Sequence, residues 1–228
     1  MKESNSAILR VRFQSSALAL LIGGMLFGGC AEVQESPLGP RYHPANVSSH
    51  VNLLAPSLKR VAVLPLAGLN STFDMQAGVE TLEPILVTEL QKRNRFEVVP
   101  VSRADMAQWT GKQTFRGDEV LPQDALARIQ KETGCDGVLF AMLTVYRPYA
   151  PTAIGWRMKL ATVSDKAIVW AADEVFDAAN ADVVNSARDY QRKQPELRAG
   201  LREGRKILLS PSAFGHFTAE TLLNTLPH

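Results

Sequence analysis

Residues 137–146, GVLFAMLTVY, carry no charge and form the most apolar stretch of the chain beyond its first thirty residues. Ten residues are too few to cross a bilayer as a helix, which takes roughly 18–20. A short continuous apolar run suits a strand buried on both faces in the middle of a sheet. The next residues extend the same sheet. AIGWRMKLATV (153–163) alternates, with Ile154, Trp156, Met158 and Leu160 on one face and Arg157 and Lys159 on the other. Ser164-Asp165 is a turn signal and KAIVWAADEVFDA follows, so these two strands predict a hairpin.

The remaining periodicities supply helices and two further strands. Val61, Ala62, Val63 and Leu64 form a short apolar run between charge and Pro65, another strand buried on both faces. In VETLEPILVTELQKRN, Val79, Leu82, Leu86 and Leu90 share one helical stripe. Glu80 and Glu83 come early and Lys92 and Arg93 late, as the helix dipole favours. Pro84 lies inside this pattern, so either the helix kinks there or its regular part starts near Thr81. RFEVVPV is a strand with Phe96, Val98 and Val99, and Ser102 reads as the cap of a short helix through Trp109. LPQDALARIQKETG predicts a helix with Pro122 in its first turn and Gly134 as its stop. From Asn180 the chain is helical and charged until Pro195, and AFGHFTAETLLNTL predicts a final amphipathic helix with Ser212 as its cap. The order predicts an α/β fold, a mixed β-sheet with helices packed on it over residues 59–178, followed by C-terminal helices over 179–228.

The start of the chain has a different character. Lys2, Arg10 and Arg12 stand against Glu3, and Ala17 to Gly29 are uncharged and mostly apolar. A basic segment before an apolar run of about 7–15 residues and then small residues is the pattern of a secretory signal peptide. Leu26, Phe27, Gly28, Gly29 and Cys30 resemble the lipobox of bacterial lipoproteins, although Phe27 is bulkier than the usual residue there. That resemblance implies removal of residues 1–29 as a signal peptide and lipid attachment on the Cys30 thiol, the one covalent group expected and no other cofactor. Two or more acyl chains, at about 0.8 kcal/mol per buried CH2, anchor a protein stably. Ala31 stands where an aspartate would favour inner-membrane retention, which implies the outer membrane, with the chain facing the periplasm.

Residues 30–58 contain Pro37, Pro40, Pro44 and Pro56 and no sustained period, so they are expected to form a flexible tether. Loss of the signal peptide removes three basic residues and one acidic one, taking the formal charge from +2 to zero. A neutral chain has no electrostatic footprint for nucleic acid. With Cys30 lipidated, Cys135 has no intramolecular disulfide partner, and its place before an apolar strand reads as a small buried hydrophobe.

The residues show no convincing catalytic or metal-binding constellation. His43, His50, His216 and His228 are scattered without ligand spacing. Asp173 and Glu174 fall on opposite faces of a strand, and with Asp177 they read as a solvated strand end rather than paired catalytic carboxylates. TGKQT (110–114) ends like a phosphate-binding loop, but Met106 stands where that loop needs its first glycine and Gln113 where it needs Ser or Thr. Trp156 and Trp170 have apolar neighbours and read as core.

RVAVLPLAGLN, LVTELQKRNRFEVVPV, ETGCDGVLFAMLTV and MKLATVSDKAIVWAADEVFDA resemble the periplasmic superfamily that includes LpoB, CsgG, the amino-terminal domain of TolB and a domain of FlgT. Cys135 replaces a small residue of the pattern, and the hairpin is shortened to Ser164-Asp165-Lys166. The likeness covers residues 59–178 and consists of core strands, so it implies a fold more than a site. It implies no enzyme activity. It points to a membrane-anchored module that binds an envelope protein partner, or, as the alternative, to a subunit of a CsgG-like oligomeric secretion complex. An envelope hydrolase is the remote alternative. A pore of the secretion type needs long membrane hairpins with strands of about 9–11 alternating residues. Only AIGWRMKLATV approaches that pattern. The loop at 110–121 and the exposed face of the last helix, with His216 and Glu220, are equal candidates for a contact surface.

Overall fold

A computed structural model describes residues 39–119, 122, 124–194 and 206–228. Cys30, the expected signal peptide, residues 31–38 of the expected tether, and Pro195 lie outside the described residues. Residues 38–228 form one unit. Its strands are β1 (Val47–Ser49), β2 (Arg60–Val63), β3 (Ala67–Gly68), β4 (Glu97–Pro100), β5 (Gly137–Arg147), β6 (Ala153–Thr162) and β7 (Ile168–Asp177). Its helices are α1 (Phe73–Arg93), α2 (Arg103–Thr110), α3 (Ala125–Thr133), α4 (Ala181–Lys193), α5 (Lys206–Leu209) and α6 (Pro211–Leu223). The sheet order is β1-β7-β6-β5-β2-β4, with β3 beside β5. Strands β4, β2 and β5 run parallel, while β5, β6, β7 and β1 alternate in direction, so the sheet is mixed and the fold is α/β.

Local chemistry sets the helix ends. Thr72 caps α1, Ser102 caps α2 and Asn180 caps α4, each side chain accepting from a backbone N–H in the first turn. Asn94, Gly111 and Gly134 close α1, α2 and α3 in the left-handed conformation. Helix α1 runs through Pro84 as one element of 21 residues. Two expected signals are displaced. Pro122 precedes α3, its carbonyl accepting from Ala125 N–H in a turn, and Asp124 takes the N-cap position. Ser210, not Ser212, caps α6, because Pro211 fits the first helical position, where no backbone donor is needed.

The alternation read in β6 divides two cores. On one face Trp156, Met158, Trp170 and Phe176 pack beneath α1, α4 and α6, against Leu82, Leu86, Val183, Phe214 and Phe217. The indole N–H groups of Trp156 and Trp170 donate to Thr218 and Thr225, which satisfies the polar end of each buried ring. On the other face Ala62, Val138 and Phe140 pack against Met106 of α2, Ile129 of α3 and Phe115 of the intervening loop, with Cys135 buried among them. Helix α6 lies tight on α1 at Gly215, where an added Cβ would stand 2.4 Å from the Leu82 side chain.

Two segments pack more closely into the unit than their sequence patterns express. The flexible tether expected through residue 58 does not describe residues 39–58, part of which forms β1 on the edge of β7. The C-terminal helices are not an appendage: α4 and α6 supply much of the larger core. Both segments were hard to read because their apolar residues find partners far away in the sequence, in the long helix α1 and the strands.

Candidate interaction surface

Helices α2 and α3 cover the second face only over β2, β5 and the far end of β6. Over the rest of β6, β7 and β1 that face carries polar side chains around a shallow depression of about 290 Å3. Asn46 and Ser48 from the β1 segment, Asp118 from the α2–α3 loop, and Arg157, Lys159 and Asp173 from the long strands line it. Each charge from β6 is held in place. Arg157 Nε donates to Asp173 Oδ2 at 2.6 Å across the β6–β7 pair, and Lys159 Nζ donates to the Gly117 carbonyl at 2.7 Å. A flat, prearranged polar surface on a rigid sheet suits docking of another macromolecule, since little side-chain order is lost on contact. Among the described residues no group of three His, Cys, Asp or Glu side chains could hold a metal ion.

Glu174, on the opposite face from Asp173, has a different task. Its carboxylate accepts from the Tyr42 hydroxyl and from the backbone N–H groups of Ala45 and Asn46 at 2.9 and 3.0 Å. Burial, followed by the hydrogen bond to Glu174, pushes the Tyr42 phenol pKa up. Arg41 pairs with Asp189 of α4 at 3.3 Å, and the Tyr42 N–H donates to Ser186. Residues 40–49 are thereby strapped along β7 and α4, and β1 supplies one wall of the polar depression.

The three acids expected at a solvated strand end therefore lie within β7, and each has a partner: Asp173 with Arg157, Glu174 with the strap, and Asp177 with Arg147 at 2.7 Å. The last-helix candidates are also engaged. His216 Nδ1 lies 2.7 Å from Glu89 Oε1, and Glu220 pairs with Arg93 at 3.6 Å, so both face α1 across the helix seam. Glu89 is fully buried. Burial raises its pKa, but hydrogen bonds from His216 and Lys92 outweigh it and hold the carboxyl below its ordinary range. Within the candidate loop at 110–121, the described residues 111–119 hold Phe115 buried against the sheet, and Lys112 pairs with Glu119 at 3.1 Å. His43 and His50 are exposed, and His228 lies beside Arg95. Sequence reasoning missed the strap and Glu89. The signal for Glu89 was an acid three residues past Leu86, on the apolar stripe itself.

No helix among the described residues is long and apolar enough to cross a membrane. No family model matches the chain, and no curated protein matches its sequence. Solved structures with a similar fold include PelC of Paraburkholderia phytofirmans, described as a dodecamer, at 18% identity over 61% of this chain and 86% of that one, with a TM-score of 0.40. The lipoprotein GNA1162 of Neisseria meningitidis is similar at 15% identity over 52% of this chain and 79% of that one, with a TM-score of 0.37. The C-terminal domain of LpoB from Escherichia coli is similar at 17% identity over 56% of this chain and 86% of that one, with a TM-score of 0.35. At these identities and scores the functional reading rests on this chain's own residues.

Proposed function

We propose that this chain is a bacterial envelope lipoprotein, acylated at Cys30 and held at the periplasmic face of the outer membrane. There it serves as a non-enzymatic interaction or structural module for a protein partner. The observation that supports docking is the polar face left open over β6, β7 and β1, where Arg157 is held by Asp173 and Lys159 by the Gly117 carbonyl. The anchor reading rests on the basic segment, the apolar run and Gly28-Gly29-Cys30. Neither β6 nor β7 is available as a membrane hairpin, because both pair within the sheet and bury Trp156 and Trp170, which favours the module over a pore subunit.

The test is the native mass of the protein from mildly crosslinked, detergent-solubilised envelopes, with labelled palmitate followed in parallel. A Cys30→Ser chain should take up no label, and the wild-type chain should run with one distinct partner. A large ring of this chain alone would contradict the module, and label uptake by the Cys30→Ser chain would contradict the anchor.

A further inference from the structure

A second depression, of about 490 Å3, lies at the other end of β7, lined by Ala150, Pro151, Ala178, Arg188, Leu208 and Leu209. Its surroundings are amphipathic. Tyr149 in the β5–β6 turn is 75% exposed and Leu209 is 62% exposed, among the most exposed large apolar side chains of the described residues. Arg188 makes no ion pair among the described residues. Its neighbour Asp189 is shared: Lys193 approaches it at 2.8 Å, Arg41 at 3.3 Å and Arg192 at 3.7 Å. Hydrogen bonding from Lys193 in particular holds the Asp189 carboxyl below its ordinary range, so it stays charged. Arg41, Arg188 and Lys193 together exceed this single carboxylate in charge.

An anchor on Cys30 would keep the unit beside a membrane surface. Eight residues separate Cys30 from Gly39, a stretch that spans roughly 32 Å at most when fully extended. Its far end is fixed on α4, where Asn185 donates to the Pro40 carbonyl at 3.1 Å.

We propose that this corner of α4, α5 and the β5–β6 turn is a docking surface for anionic lipid. Arg188, Arg41 and Lys193 meet headgroup phosphates, while Tyr149 and Leu209 enter the interfacial zone, where a ring with a polar tip and an aliphatic side chain both gain. The proposal rests on the acylated-Cys30 reading for the presence of a membrane beside the chain, but its test does not use the lipid. The unit from residue 38 onward contains both cores and is taken without the Cys30 segment. Its flotation is measured with vesicles of phosphatidylcholine alone and with vesicles containing phosphatidylglycerol.

Binding at least about tenfold stronger to the anionic vesicles, and weakening as salt rises, is expected. Arg188→Gln and Lys193→Gln should each lower it about fivefold. Leu209→Ser should lower binding further, and Lys131→Gln on α3 should leave it unchanged, with circular dichroism confirming the fold of each variant. Equal binding to both vesicles, no binding to either, or an equal loss from Lys131→Gln would overturn the proposal. A protein crosslinked to this corner in the absence of vesicle binding would also overturn it. Palmitate labelling of Cys30 reports separately on the anchor.

Discussion

The two faces of β6 and β7 differ in what covers them. Trp156, Met158, Trp170 and Phe176 point under α1, α4 and α6 and are fully buried, while one residue along, Arg157, Lys159 and Asp173 look out over an uncovered surface. The same strands thus serve stability on one side and offer polar groups on the other, and a period of two keeps these tasks apart. Substitutions should divide accordingly: large costs in folding on the covered face, and losses of partner contact without unfolding on the open one.

The largest effect is expected at Trp156. Trp156→Ala removes a fully buried ring and the indole N–H that Thr218 accepts from, leaving that hydroxyl only its bond to the Gly215 carbonyl, a loss of about 3–5 kcal/mol. Urea unfolding should show it as a lower midpoint with an unchanged slope. Phe115→Ala tests the covered part of the second face and should cost about 3 kcal/mol, the low end of the range for such truncations, since the loop around it is freer to settle into the gap. A cost at Phe115 equal to that at Trp156 would mean that the loop is as rigid a cover as the helices.

Glu89 brings ionisation into the covered face. Its carboxyl is held below its ordinary pKa, so its contribution to stability is full above the unfolded-state value of about 4.3 and is lost as pH falls through the lower folded-state value. Wild-type stability should therefore fall through this acid window, and Glu89→Gln should flatten that part of the pH profile while lowering stability at pH 7. The smallest effect on folding is expected at the open face. Arg157→Ala should change stability by about 0–1 kcal/mol, as is usual for a partly exposed ion pair, yet remove partner contact. Thermal unfolding and co-purification from envelopes read the two halves of that prediction.

The long strands were legible because their patterns are local. GVLFAMLTVY and AIGWRMKLATV state their burial residue by residue, and β5 and β6 follow them closely. The caps at Ser102 and Gly134 were legible for the same reason. The strap was not. Its prolines and small polar residues read as a linker, and its order comes from contacts of high sequence separation: Glu174 reaching back to residues 42–46, and Arg41 to Asp189. The open depression was equally hidden, since Asn46, Asp118 and Asp173 meet only when β1 and the α2–α3 loop settle against the hairpin. Arg157 and Lys159 could be placed on a polar face, but nothing in their spacing revealed that the helices stop short of them. His216 and Glu220 were read as exposed because Glu89 and Arg93, their partners, stand more than a hundred residues earlier in the chain.

The most direct measurement is a photo-crosslink from the open face. A photoreactive side chain at Ala171, in the floor of the polar depression, is activated in intact envelopes beside a control at Lys131 on α3. One discrete adduct with a different protein from Ala171, absent from Lys131, is the result expected of a docking module. No adduct from Ala171, or the same adducts from both positions, would contradict the assignment of that face as the contact surface.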